Sequence, residues 1–150
     1  MKKGFTLIEL LVVIAILAVL MSVVVVTINP AEMLKKTRDT KRISDLDALR
    51  TAINLYVTDQ SSLPDSTCRA SQVGAPNISS NCTSPMQSTA QSPSNNWLGL
   101  DFSTISSGSP LSTIPLDPKN TTTTAATTSY VYYFKPSSTS TTFTLLCNME

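Results

Sequence analysis

From Phe5 to Ile28 the chain is an apolar run of 24 residues broken by one charge, Glu9. That exceeds the about 20 residues a helix needs to cross a bilayer's hydrocarbon. Residues 23–26 are all valine, which would suit a strand in water. A lone strand in lipid leaves its backbone unpaired, so a helix over 5–28 is predicted. Asn29-Pro30 interrupts the run, and because proline removes one helical hydrogen bond, a kink or short break is expected near Pro30. Helical periodicity then resumes. Ile43, Leu46, Leu49, Ile53 and Tyr56 recur at three- and four-residue spacing and mark one buried stripe on an amphipathic helix over 29–60. The other face carries mixed charge, with Lys35/Asp39, Lys41/Asp45, Asp39/Arg42 and Asp47/Arg50 as helical neighbours, and reads as a solvated face, with subunit-to-subunit contacts as the alternative. Ser61-Ser62-Leu63-Pro64 ends the helix.

Residues 61–129 are rich in Ser, Thr, Asn and Pro, with isolated apolar anchors at Ile78, Met86, Trp97, Leu98, Leu100, Phe102, Ile105, Leu111, Ile114 and Leu116. This predicts a variable, loop-rich region pinned at a few points. Three glycan-acceptor matches, at Asn77, Asn81 and Asn120, are of the kind that chance produces in such a segment. Residues 130–135 (YVYYFK) and 141–149 (TTFTLLCNM) are aromatic and β-branched with alternating faces, and predict a C-terminal antiparallel hairpin over 130–149. Two strands alone are barely stable in water, so the hairpin must pack on the helical stripe. The fold class is therefore α+β: a long N-terminal helix, half membrane and half amphipathic, carrying a small loop-rich head over 61–150.

Composition narrows the chemistry. Eleven basic and ten acidic residues give a net charge of +1, which makes no electrostatic case for nucleic acid. The absence of histidine removes the commonest general base and metal ligand together. Gly4, Gly74, Gly99 and Gly108 form neither a phosphate loop nor a dinucleotide fingerprint, so mechanical work done with this chain needs a motor elsewhere. No catalytic residue, metal ligand set or cofactor is expected. Asp117, between two prolines, reads as a turn residue. The cysteines are Cys68, Cys82 and Cys147; one disulfide is possible and sequence does not choose among three pairings. Cys68 and Cys82 bracket a polar loop and are the favoured pair, whereas Cys147 alternates with Phe143, Leu145 and Met149 as a small apolar residue.

Glu9 is the chemical question. An acidic residue at mid-membrane costs about 2.5–3.5 kcal/mol on insertion scales, and such a residue is by default functional, with a partner to be named. Residues 2–9, Lys-Lys-Gly-Phe-Thr-Leu-Ile-Glu, resemble the processing site of the type IV pilin and type II secretion pseudopilin superfamily: basic residues, a leader ending in glycine, an aromatic first mature residue, then glutamate at the fifth mature position. Residues 38–64 are similar to the solvent half of the long helix in pseudopilin-G-like proteins, and residues 97–101, 109–118 and 130–150 resemble the head of bacterial pilin-like subunits.

The resemblance implies a leader over 1–4, cleavage between Gly4 and Phe5 by a prepilin peptidase, N-methylation of Phe5, and pairing of Glu9 with the Phe5 amine of a neighbouring copy. An ammonium at a helix N-terminus is disfavoured by the dipole, and a nearby carboxylate relieves it. Implied partners are copies of itself or other pilin-like subunits, the peptidase/methyltransferase, membrane lipid, an inner-membrane assembly platform and a separate ATPase. The positive charges at Lys35, Lys36, Arg38, Lys41 and Arg42 would by count place the C-terminal part inside the cell. The resemblance favours the opposite: a single span of the bacterial inner membrane, N-terminus inside and head outside, later a periplasmic or extracellular filament.

Two family features lack counterparts. Only Asp101, Asp117 and Glu150 follow residue 66 as acids, which predicts no clustered calcium site, and Cys147 closes no long C-terminal loop. The alternatives are a minor pilin with an adhesive head and a non-polymerising single-span anchor. A secretory signal fits poorly, its apolar core being shorter than this run.

Overall fold

The computed structural model describes residues 4–63, 65–75, 82, 85–120, 130–137 and 141–150, with the Val26 side chain set aside. The leader residues Met1 to Lys3, the anchor Ile78, the acceptor matches at Asn77 and Asn81, and the Thr residues completing the Asn120 match lie outside the described residues. The chain forms two compact units, 1–37 and 38–150.

In the first unit, helix α1 spans Leu7–Ile28. Its large apolar side chains are exposed all round, and Leu7–Val25 is long and apolar enough to cross a membrane. Thr6 caps it with extended backbone. Asn29 ends it in the left-handed conformation, φ 47°, a geometry asparagine tolerates better than most residues. Helix α2, Pro30–Gln60, starts immediately. Pro30 takes its first position, where proline's missing N–H costs nothing, and the Asn29 carbonyl accepts from the Glu32 and Met33 amides at 3.1 and 3.4 Å. The interruption expected near Pro30 is thus a one-residue break at Asn29.

The second unit, the head, packs α2 from Arg38 onward against a four-stranded sheet. The strands are β1 (Arg69–Ala70), β2 (Met86–Gln87), β3 (Tyr133–Pro136) and β4 (Phe143–Leu146), in the order β2-β1-β3-β4. The predicted hairpin is the antiparallel β3–β4 pair, with Tyr133 opposite Leu146 and Pro136 opposite Phe143. β1 pairs antiparallel to β3 and parallel to β2. These two strands fall in the segment read as loop. At two residues each, they are too short to show alternation.

The core is Leu49, Ala52 and Ile53 of α2 against Trp97, Leu98, Leu100, Phe102, Ile114, Tyr132 and Phe134. The Trp97 indole N–H donates to the Pro115 carbonyl at 3.0 Å, and the Phe102 ring meets Tyr56 edge-on. Most predicted anchors are buried, but Met86 is exposed. The predicted α2 stripe also shifts. Leu49 and Ile53 are fully buried, Leu46 and Tyr56 partly, while Ile43 is 60 % exposed and its inward neighbours are Arg42 and Asp45. At that level of the helix the interior is ionic, not apolar.

Candidate functional site

The N-terminal site is built on the start of α1. Thr6 and Glu9 form a capping box: the Glu9 carboxylate accepts from the Thr6 backbone N–H at 2.8 Å and the Thr6 hydroxyl at 2.8 Å, and the Glu9 N–H donates to Thr6 Oγ1 at 3.3 Å. The reciprocal bonds satisfy donors that a helix start otherwise leaves open. Sequence reading leaves Glu9 without a partner in its own chain; the structure supplies one three residues away. Phe5 and Gly4 precede the helix in non-helical, exposed backbone, so the Gly4–Phe5 bond is reachable. Nothing in the fold asks for glycine at position 4. Its φ is not left-handed, and a Cβ there would meet no atom within 4 Å.

A second concentration of charge lies in the head. Arg42, completely buried, donates to both oxygens of Asp117 at 2.7 and 3.1 Å, and also to Asp39 and to Glu150. Arg38 grips Glu150 with two donors, and Lys119 Nζ adds a third cation at 2.8 Å. The Glu150 backbone N–H donates to the Asp39 carboxylate at 3.1 Å. Arg42 and Lys119 both lie over the Tyr130 ring, 4.7 and 4.8 Å from its centroid. One turn along α2, buried Asp45 accepts from the Tyr132 hydroxyl at 3.0 Å and from Lys41 Nζ at 2.6 Å. Burial among carboxylates pushes the Tyr132 phenol up, while the hydrogen bond from Arg38, then those from Lys119 and Arg42, hold Glu150 well below the usual carboxylate range. The hydrogen bond to Asp117 and those to its other acids raise Arg42.

Asp117 does serve its turn, accepting the Lys119 N–H at 2.8 Å, but it is equally the main anchor of Arg42. Three acids distant in sequence, Asp39, Asp117 and Glu150, therefore converge, and the space between them is filled by guanidinium and ammonium groups. Among the described residues no group of three or more His, Cys, Asp or Glu is arranged to hold a metal ion. Sequence reading missed this cluster because it placed the α2 charges in solvent. The available signal was an Arg and an Asp three residues apart at the edge of the apolar stripe.

Cys68 and Cys82 are joined as a disulfide, Cα atoms 5.6 Å apart. They pack with Ala70, Ala75, Val131 and Tyr133 in a second, smaller apolar cluster. Cys147 is a free thiol packed against the main core, and burial pushes its pKa up.

Residues 1–25 match the family model described as the prokaryotic N-terminal methylation motif. The chain thus carries the prepilin-type cleavage and methylation motif of type IV pilins and pseudopilins. No curated protein and no solved structure matches it.

Proposed function

We propose that this chain is a structural subunit of a type IV pilus-like or type II secretion-like filament, cut between Gly4 and Phe5, methylated on Phe5 and polymerised through α1. The motif over residues 1–25 supports a pilin-like protein processed by prepilin peptidase. The observation that carries the rest is Glu9: a carboxylate on a helix apolar on every side, beside an exposed bond whose cleavage creates a positive charge. Glycine at position 4, which the fold itself does not need, fits recognition of that bond by another protein.

The capping box refines how assembly would be driven. Before cleavage Thr6 satisfies part of the Glu9 carboxylate, which lowers the cost of holding it in lipid. Cleavage then places an ammonium one residue from Thr6, at the positive end of the α1 dipole. In low dielectric that ammonium and a carboxylate attract far more strongly than in water. A Glu9 from a neighbouring copy can meet the amine while α1 helices bury one another's apolar sides. In this reading the head stands outside a single span of the inner membrane, and an assembly platform and a separate ATPase supply the force. An adhesive minor pilin would use the same site, with its specificity in the head; a non-polymerising anchor would use Glu9 only as the cap of α1.

The native protein should begin at Phe5 and carry a methyl group on that nitrogen, as read by intact-mass and N-terminal analysis. Recovery of chains still holding Gly4 would leave only the anchor. Glu9→Ala should insert and be cut normally yet give few filaments in sheared-fibre assays, and normal yields from it would refute amine pairing.

A further inference from the structure

The head carries a groove of about 800 Å³ between α2 and β4. Its apolar floor is Ile43, Leu46, Phe143 and Leu145, and its rim holds Asp47 and Arg50. β4 is an edge of the sheet and bears neither charge nor proline, the usual devices that keep such an edge from pairing.

The rim charges stand out against the rest of the head. Arg38, Arg42, Lys119, Asp39, Asp117 and Glu150 share the cluster described above, while Lys41–Asp45 and Arg69–Asp65 are ion pairs. Asp59 and Asp101 accept from serine hydroxyls. Among the described residues of the head, that leaves Asp47, Arg50 and Lys135 as charged side chains with no partner. Two of the three flank the groove. They are helical neighbours three residues apart, yet they do not pair with each other.

We propose that this groove docks a second copy of the chain, the two grooves facing across a two-fold axis with Asp47 of each copy set against Arg50 of the other. The argument is charge complementarity by elimination. Asp47 is the one unpartnered acid among the head's described residues, so an Arg50 satisfied by another head is satisfied by that head's Asp47. The reciprocal contact follows from two-fold symmetry, in which residue i meets j and j meets i. The apolar floors and uncapped β4 edges then cover each other. A two-fold contact closes on itself and does not propagate, so it describes paired subunits in the membrane, separate from a filament contact made by α1.

The test uses the full chain in membranes of a host without prepilin peptidase, so its outcome does not depend on cleavage or polymerisation. One tagged copy carries Asp47→Cys and a differently tagged copy Arg50→Cys, both in a Cys147→Ser background, and disulfide-linked pairs are counted after mild oxidation. The mixed pair should crosslink efficiently and a Val73→Cys pair, exposed elsewhere on the head, should not. In a chain labelled at Ser44→Cys for crosslinking, Asp47→Arg or Arg50→Asp alone should cut pairing by about tenfold, since like charges then oppose each other, and the double exchange should restore it. Equal crosslinking at Val73, no rescue by the double exchange, or capture of a different polypeptide in the groove would each overturn the proposal.

Discussion

Glu9 was legible in the sequence as an anomaly, a lone carboxylate among apolar residues; its partner Thr6 was not singled out. The capping box needs only a threonine and a glutamate at the right spacing, and that pattern is plain in residues 6–9 once a helix start is placed there. Gly99 is the opposite case, a residue whose need for glycine appears only in three dimensions. Its φ is +66°, and the Arg69 guanidinium occupies the space a Cβ would take. Gly99→Ala should destabilise the head by about 1–2 kcal/mol from backbone strain in the left-handed region alone, and by more because the Arg69 guanidinium, paired with Asp65, must also be displaced. Trp97 is the chain's single tryptophan and is buried in the head. Its fluorescence in urea titrations of the detergent-solubilised chain reads this change directly.

At the scale of elements, the two helices and the C-terminal hairpin were readable because each carries a sustained pattern: a membrane-length apolar run, a stripe, an alternation. β1 and β2 were not, since two-residue strands have no period and are held by β3 and by the Cys68–Cys82 bridge near them. The ionic turn of α2 was misjudged for a related reason. A charged residue on a helix face is usually solvated, and only the distant Asp117 and Glu150 turn Arg42 inward. That arrangement makes a sharp prediction. Arg42→Met should cost about 3–5 kcal/mol, the usual penalty for leaving a buried partner charge unpaired. Combining it with Asp117→Leu should cost less than the two single changes added, because the double variant leaves that pair apolar on both sides. Strict additivity in Trp97-detected unfolding would show that the two side chains do not act as a unit. The bridge makes a second one. It closes a short loop, 14 residues apart in sequence, and its reduction should lower head stability by about 3 kcal/mol on the chain-entropy account. Unfolding curves that coincide with and without reductant would refute that contribution.

For the molecule as a whole, the ionisable groups set the pH range over which the head is stable. Glu150 is held down first by Arg38, and Asp59 is lowered by the Ser106 hydroxyl. A carboxyl depressed in the folded state stabilises it fully above its unfolded value, about 4.3 for glutamate, and loses that contribution as pH falls toward the folded value. At the other end, burial raises Tyr56, Tyr132, Tyr133 and Cys147. The unfolded chain ionises these groups first, so stability declines above about 8.5 for the thiol and about 10 for the phenols. Arg38 and Arg42 are raised by their acids and lose their contribution only above the ordinary arginine range. Between these limits the chain has no histidine to titrate. The urea midpoint of Trp97 fluorescence should therefore be flat from about pH 5 to 8, fall below about pH 4 and fall again in alkali. Because Glu150 joins Arg38, Arg42 and Lys119 at once, Glu150→Gln should flatten the acid limb more than Asp59→Asn. A midpoint that slopes through neutral pH, or an acid limb unchanged by Glu150→Gln, would show that the cluster does not govern the head's response to acid.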